Sequence, residues 1–285
     1  MDPFFVALCA MLLVMANRLY SKYLLDRVDS YALALIPNIM GMIVVLPFAW
    51  GFLPHVANFS SWQIFLLGIS MPLWLYNAWI GNVSIAQNEF SFKEIIRQTR
   101  VLWVVAIGLL LLGERVSYGD ALGVTLIIIS VFLISYRSYS LRQHFSSKPI
   151  LLAWSISLVS AAIVIIEKLI VDSMPVLLYA FLSYAMTSLA LLFFFTKTRR
   201  AASHTLITSH FWHTLLCALI MAVGYFAVLS AYQKLPISTA YPIIQSATGI
   251  GVFIGALFFE KGDHLLRKTL AALVAVAGIV LIQLY

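Results

Sequence analysis

Three basic residues stand at regular spacing in the segment Phe92–Arg100, which reads Phe-Lys-Glu-Ile-Ile-Arg-Gln-Thr-Arg. Lys93, Arg97 and Arg100 are separated by four and then three positions, so a helix would place them on one face. Guanidinium groups bind carboxylates and phosphates through paired hydrogen bonds, so this pattern favours a site for an anion. Glu94 is the candidate proton acceptor if a solute moves together with a proton, and Lys93 is the second candidate for that coupling. The structural alternative is an ion pair between Glu94 and Arg97, with Lys93 reaching to the membrane surface.

The residues after this segment are apolar, but too few of them follow to cross a membrane alone. Val101 to Leu112 is 12 residues, or ~18 Å of helix against a hydrocarbon core of ~30 Å. A helix that begins near Phe90 is long enough and places Arg100 ~15 Å inside. Because an arginine at that depth costs at least ~2.5 kcal/mol unless it faces protein or water, we expect the basic face to line a cavity.

Helical spacing in other apolar segments supplies further candidates for solute binding. The third segment has one face of small and polar side chains that includes Trp74 and Asn77. In the eighth segment Tyr225 and Tyr232 are seven positions apart, and in the ninth Tyr241 and Gln245 are four positions apart. The ninth segment matches the charged one in an internal repeat, so its side chains are expected to form the opposite wall. Packing with a single hydrogen bond is the alternative for each tyrosine and for the asparagine. The predicted solute-binding residues are Arg97, Arg100, Asn77, Trp74, Tyr225, Tyr241 and Gln245.

Other polar residues are expected to be structural. Arg18 with its neighbour Asn17, and Glu167 with its neighbour Lys168, stand near predicted helix ends, which favours the interface or water. The two cysteines lie in apolar runs, which is typical of small hydrophobes. The spacing indicates no metal site, no phosphate loop and no activated nucleophile, so we expect no metal, no cofactor and no enzymatic activity.

Composition places all of these residues in a membrane protein. Of the 285 residues, 62% are hydrophobic and 10% are charged, whereas soluble domains are about 25% charged. The net charge of +7 comes from basic residues between the apolar segments and calls for no nucleic-acid partner. The apolar segments predict an all-α protein of ten transmembrane helices, near 3–24, 31–53, 61–83, 90–112, 118–136, 149–170, 175–196, 211–233, 238–259 and 265–284.

The basic residues also predict an orientation. Fifteen of the 18 lysines and arginines fall at the odd-to-even junctions, and Arg115, Lys168 and Lys234 fall at the others. The positive-inside rule therefore puts both termini outside. With five helices in each half, the two halves would be inserted in opposite senses, which is the arrangement of inverted repeats.

An internal similarity supports that division. The fourth segment ends Gly-Leu-Leu-Leu-Leu-Gly-Glu-Arg, and the ninth ends Ile-Gly-Ala-Leu-Phe-Phe-Glu-Lys, with Glu114 and Glu260 at corresponding positions. Each is followed by a final helix with small residues, which let helices approach closely in lipid. Both glutamates are expected at helix ends rather than in a transport path. The predicted units are residues 1–143 and 144–285.

These endings, together with Ala-Tyr-Gln-Lys-Leu-Pro-Ile-Ser-Thr-Ala at 231–240, resemble the ten-helix EamA branch of the drug/metabolite transporter superfamily. The charged entry to the fourth helix and Ala16-Asn17-Arg18 in the first depart from the usual family pattern. The resemblance implies a secondary transporter in the bacterial inner membrane, with a cavity between its halves, acting as a monomer or homodimer. The basic face favours an anionic or zwitterionic small solute, such as an amino acid or a phosphorylated or carboxylated metabolite. A lipid-carrier flippase is the alternative, and an intramembrane enzyme is a weaker one.

Overall fold

The computed structural model describes residues 2–25, 29–87, 100–115, 117–135, 148–193, 203–204, 206–258 and 265–284. Within these ranges the regular structure is helical, which confirms the all-α fold class. The long α-helices are α1 Pro3–Leu25, α2 Ser30–Ala49, α3 Ser61–Gln87, α4 Arg100–Leu110, α5 Tyr118–Ser135, α6 Lys148–Val171, α7 Val176–Phe193, α8 Phe211–Lys234, α9 Ile237–Phe258 and α10 Leu265–Leu284.

The second helix differs from its predicted course. We expected it to run to residue 53, but α2 ends at Ala49 and a 3-10 helix continues over Trp50–Asn58. Pro54 explains the change, because proline has no backbone N–H and its ring clashes with the carbonyl four residues earlier. At the other end, the Asp29 side chain accepts hydrogen bonds from the backbone N–H groups of Tyr31 and Ala32, at 2.9 and 3.0 Å.

Several helices have the length and the apolar composition needed to cross a bilayer. Within the described residues four qualify by these criteria: Pro3–Ser21, Tyr31–Asn58, Val176–Phe193 and Phe211–Lys234. Shorter apolar helical stretches cover Arg100–Leu110, Tyr118–Ser130 and Thr269–Ile282. Large apolar side chains also lie on the outside of the bundle, among them Leu110 and Phe193, which are 82% and 85% exposed. Such a surface is suited to contact with lipid.

The helices pack in pairs that cross between the two halves of the chain. Helix α1 lies against α8 and α9, and α6 lies against α3 and α4. These two sets of contacts correspond when each helix is exchanged for the helix at the same position in the other half: α1 for α6, α8 for α3 and α9 for α4. The contacts α2–α7, α4–α9 and α5–α10 map onto themselves under the same exchange. Most of the main contacts made by the first five helices thus have a counterpart among the last five.

Helices α5 and α10 meet through glycines. A Cβ atom at Gly123 would lie 2.5 Å from the carbonyl oxygen of Gly278, and one at Gly278 would lie 2.6 Å from that of Gly123. These separations leave no room for a side chain at either position. The small residues of the last helix in each half thus allow the close approach that the sequence predicted.

Glu114 joins the end of α4 to the beginning of α9. Its carboxylate accepts hydrogen bonds from Ile237 N at 2.6 Å, Ser238 N at 2.9 Å and Ser238 Oγ at 2.6 Å. These backbone groups have no partner inside their own helix, and a negative charge is favourable at a helix N-terminus. Gly113, with φ of +64°, turns the chain so that Glu114 can reach them, and glycine takes that conformation without a steric penalty. Glu114 is therefore a structural contact between the halves at a helix end, as predicted.

Candidate functional site

Two arginines from different helices converge on one glutamine inside the bundle. Arg18 of α1 donates from Nη2 to Gln245 Oε1 at 3.1 Å, and Arg100 of α4 donates from Nη2 to the same oxygen at 2.9 Å. Gln245 belongs to α9 and is 7% exposed. The site therefore forms where α9 packs against both α1 and α4.

The electrostatics of this arrangement favour an anion. Since both bonds end on one oxygen, the two Nη2 atoms are no more than about 6 Å apart. Two unit charges at that distance repel by about 3 kcal/mol at an effective dielectric constant of about 20. Within the described part of the chain, no carboxylate lies at ion-pair distance from Arg100, and its buried Nε has no hydrogen-bond partner. The amide oxygen that both groups share is neutral.

Two tyrosines lie close to the same stretch of α9. Tyr241, one helical turn before Gln245, is 2% exposed, and Tyr232 of α8 is 3% exposed. Their ring centroids are 6.5 Å apart. Tyr241 and Gln245 are thus buried on the helix that we expected to form the wall opposite α4, and their role in solute binding stays a prediction.

The position of Arg18 corrects an expectation. We expected it at the membrane interface or in water, whereas its side chain is half-buried and bonded to Gln245 of another helix. Helix α1 continues to Leu25, so Arg18 lies seven residues, or ~10 Å of helix, before its end. From there its half-buried side chain reaches Gln245 of α9.

Glu167 corrects a second expectation of exposure. It lies near the end of α6 but is only 3% exposed, because this end of the helix is packed inside the bundle, with Ile170 and Val171 at 0% exposed. The Tyr225 hydroxyl donates to Glu167 Oε1 at 2.6 Å. The adjacent Lys168 points elsewhere, with Nζ donating to Asp172 Oδ1 at 3.0 Å and to the Tyr232 carbonyl at 2.6 Å.

Tyr225 therefore belongs to a different group from the arginines. Its hydroxyl oxygen is 3.1 Å from Ser183 Oγ of α7, and the ring of Tyr184 packs edge-on against its ring at a centroid distance of 5.6 Å. The sequence predicted one common site for Tyr225 and Arg100. The structure places Tyr225 with Glu167 and Ser183, and Arg100 with Arg18 and Gln245.

A narrow cleft between α3 and α7 leads to this second group. Trp74 lines it together with Ser70, Ser183 and Thr187. Among the described residues, the buried indole Nε1 of Trp74 has no geometrically ideal hydrogen-bond partner. Trp74 thus faces a cleft that is lined by Ser183 rather than by the arginines, and its role in solute binding stays a prediction.

Some predicted site residues lie outside what the structure describes. Lys93, Glu94 and Arg97 fall in the gap between residues 87 and 100, and the side chain of Asn77 on α3 is likewise outside the description. Their roles stay predictions. Among the described residues, no group of three or more histidine, cysteine, aspartate or glutamate side chains is placed to hold a metal ion.

Comparison with known proteins finds a family match over the first part of the chain. Residues 3–136, which cover α1 to α5, match the model of the EamA-like transporter family, and this confirms the resemblance seen in the sequence. A solved crystal structure of a protein aligns with 99% of this chain and 96% of its own, at 14% identity and a TM-score of 0.71. That likeness concerns the fold alone. No curated protein matches the chain.

Proposed function

We propose that this integral membrane protein, whose residues 3–136 match the model of the EamA-like transporter family, is a transporter that moves a small anionic or zwitterionic solute. Members of this family are transporters rather than enzymes, and a small solute and the lipid bilayer are the partners that such a transporter implies. An amino acid, or a phosphorylated or carboxylated metabolite, has the required charge. The solute would bind between Arg18 and Arg100.

One observation carries this proposal: two guanidinium groups meet at a neutral amide oxygen inside the bundle. The two Nη2 atoms are no more than about 6 Å apart, and a carboxylate or phosphate bound between them would attract both guanidinium groups. Arginine also offers paired donors that match the oxygens of these anions. A lipophilic cation would instead add to the repulsion.

The proposed mechanism is alternating access between two five-helix repeats, residues 1–143 and 144–285, inserted in opposite senses. The exchange of packing partners between halves supports this division, since α1 with α8 corresponds to α6 with α3. Arg18 and Arg100 come from the first repeat and Gln245 from the second. Rocking of one repeat against the other would therefore change the distances between the arginines and Gln245.

The orientation and the membrane are further parts of the proposal. We place the protein in the bacterial inner membrane with both termini outside, from the excess of basic residues at the odd-to-even junctions. In this orientation Glu114 and its contact with α9 lie on the outer side. The transporter would act as a monomer or as a homodimer.

The test is thermal stabilisation of the purified protein by a panel of probes. L-Glutamate, L-serine, phosphoenolpyruvate, inorganic phosphate, spermidine and a phospholipid represent the competing charge classes. A ligand that binds only the folded state stabilises it by about 2.7 kcal/mol at 100 times its dissociation constant. We expect the anionic or zwitterionic probes to raise the melting temperature and spermidine to leave it unchanged.

A matched pair of variants links the shift to the site. Arg100→Gln should remove most of it, whereas Arg115→Gln, at an exposed position, should keep it. Loss of a charged hydrogen-bond partner costs about 1.5–3 kcal/mol, which is about a 10- to 150-fold weaker affinity. Stabilisation by the phospholipid or by spermidine alone, or an Arg100→Gln protein that responds like the wild type, would contradict the proposal.

A further inference from the structure

Glu167 is a buried carboxyl group that the anion site does not use. It lies on α6 at 3% exposure, and within the described residues no lysine, arginine or histidine side chain is at ion-pair distance from it. Burying a carboxylate without a cation is costly. Ionisable residues inside membrane bundles commonly mark ion pathways or proton relays.

The contacts of Glu167 form a short chain of hydroxyl groups. The Tyr225 hydroxyl has one proton, and it donates that proton in a hydrogen bond to Glu167 Oε1, at 2.6 Å. Ser183 Oγ, 3.1 Å from the Tyr225 oxygen, is therefore the donor in the second bond. Ser183 also lines the cleft between α3 and α7. The buried carboxyl group is thus joined to the cleft by two hydrogen bonds.

Among the described side chains, those that face Glu167 carry no charge. Its titratable neighbours are Tyr179 and Tyr184 on α7 and Tyr225 and Tyr232 on α8. The described side chains of α3 are uncharged. On α4, the Arg100 guanidinium bonds to Gln245, and Lys168 is engaged by Asp172.

We propose that Glu167 is the proton-binding site of the transporter, loaded from the cleft through Ser183 and Tyr225. Hydronium in the cleft gives a proton to Ser183, Ser183 gives its own to Tyr225, and Tyr225 gives its own to the Glu167 carboxylate. One O–H bond forms at Glu167 and one breaks in the hydronium, which leaves water. The predicted coupling residue Glu94 is then not needed for this step.

The location away from the arginines gives the proton site a distinct role. The solute site joins α1, α4 and α9, whereas the proton site joins α6, α7 and α8. Contacts between α1 and α8 and between α4 and α6 connect the two groups of helices. Proton and solute would therefore be coupled through the motion of the bundle rather than through direct contact. This coupling rests on the proposed function, although proton binding by itself does not.

The first experiment tests proton binding without any solute. Infrared spectra of the purified protein are recorded while the pH is varied, and the carbonyl band of a protonated carboxylic acid is followed. We expect a band that Glu167→Gln removes and that Asp172→Asn, a change at a 45% exposed carboxylate, leaves in place. Tyr225→Phe should move the band frequency, because it removes the hydrogen bond to Glu167. A band unchanged by Glu167→Gln would overturn the proposal.

The second experiment measures coupling in proteoliposomes with L-glutamate as the tracer and the membrane potential clamped by potassium and valinomycin. A gradient of one pH unit supports about tenfold accumulation when one proton accompanies each solute. We expect that accumulation in the wild type and almost none in Glu167→Gln, which should still exchange L-glutamate across the membrane at equal pH. Equal accumulation by both proteins would overturn the coupling role.

The two experiments separate the proposals. If the wild type moves no L-glutamate while the infrared band behaves as expected, the solute assignment fails and the proton site stands. If L-glutamate is exchanged but the band does not depend on Glu167, the proton site fails and the solute assignment stands. Glu167→Asp, which keeps a carboxyl group, serves as the second variant if Glu167→Gln does not fold, and it should keep the band.

Discussion

Removing the Glu114 carboxylate should destabilise the bundle far more than removing a carboxylate that caps only its own helix. Glu114→Ala leaves the backbone N–H groups of Ile237 and Ser238 and the Ser238 hydroxyl without their acceptor. A hydrogen bond to a charged group contributes about 1.5–3 kcal/mol. Because both Ser238 bonds share Oε2, they do not add fully, and we expect a total loss of about 3–5 kcal/mol.

The local environment of Glu114 supports that magnitude. A Cβ atom at Gly108 would lie 2.7 Å from Glu114 Oε2, so the carboxylate is packed closely against α4 and water has little access to replace it. Glu114→Gln keeps one oxygen but places an amide N–H₂ group near donors. We expect Glu114→Gln to lower the free energy of unfolding by about half as much as Glu114→Ala. The loss of a negative charge at the α9 N-terminus adds about 0.3–1 kcal/mol to this cost.

The assay is the free energy of unfolding in mixed micelles, from a titration with denaturing detergent. Asp120→Ala is the matched control, because Asp120 accepts from Ser117 N at 3.2 Å and Ser117 Oγ at 2.8 Å beside an exposed helix start. Loss of such a local cap costs about 0.5–2 kcal/mol. If Glu114→Ala costs no more than Asp120→Ala, Glu114 is not a contact that holds the halves together.

Three further predictions concern backbone freedom, helix packing and orientation. Gly113→Ala, at a φ of +64°, should lower the free energy of unfolding by about 1–2 kcal/mol, and no loss would show that the turn relaxes. Gly278→Ala places a Cβ atom 2.6 Å from Gly123 O and should lower the free energy of unfolding by about 1–3 kcal/mol. Gly68→Ala is the control, because nothing lies within 4 Å of its new Cβ, and it should not destabilise the protein. Equal effects of the two variants would refute the close contact. Cysteines placed at Arg115 and Arg199 should react with an impermeant reagent from opposite sides of the membrane, outside and inside respectively, and labelling from one side would refute the orientation.

Helix positions could be predicted because the apolar runs are long and clearly bounded. The helix over 211–233, for example, is found as Phe211–Lys234, and that over 265–284 as Leu265–Leu284. The second helix was less predictable, since apolarity continues past Ala49 while Pro54 changes the kind of helix. Hydropathy measures lipid compatibility, and it does not report backbone hydrogen bonding.

The site was only partly predictable. The spacing of Arg100 with other basic residues before α4, and of Tyr241 with Gln245 on α9, is visible in the sequence, and the structure places Arg100 and Gln245 in contact. Their role in solute binding stays a prediction. Nearness to a predicted helix end does not predict the exposure of Glu167, which is 3% exposed, or the contact of Arg18 with Gln245. Burial depends on which helices cover that end, and α8 with α7 covers the end of α6. A sharper signal was present, because both are charged residues within largely apolar helices.

Solute uptake by the arginine pair is the central claim, and counterflow in proteoliposomes tests it most directly. Vesicles loaded with unlabelled L-glutamate or phosphoenolpyruvate should take up the labelled compound through the wild type and through Arg115→Gln. Arg100→Gln should lower uptake at limiting solute by about 10- to 150-fold, because it removes one of two guanidinium groups that hold the anion. Uptake through Arg100→Gln that equals uptake through Arg115→Gln would contradict the claim.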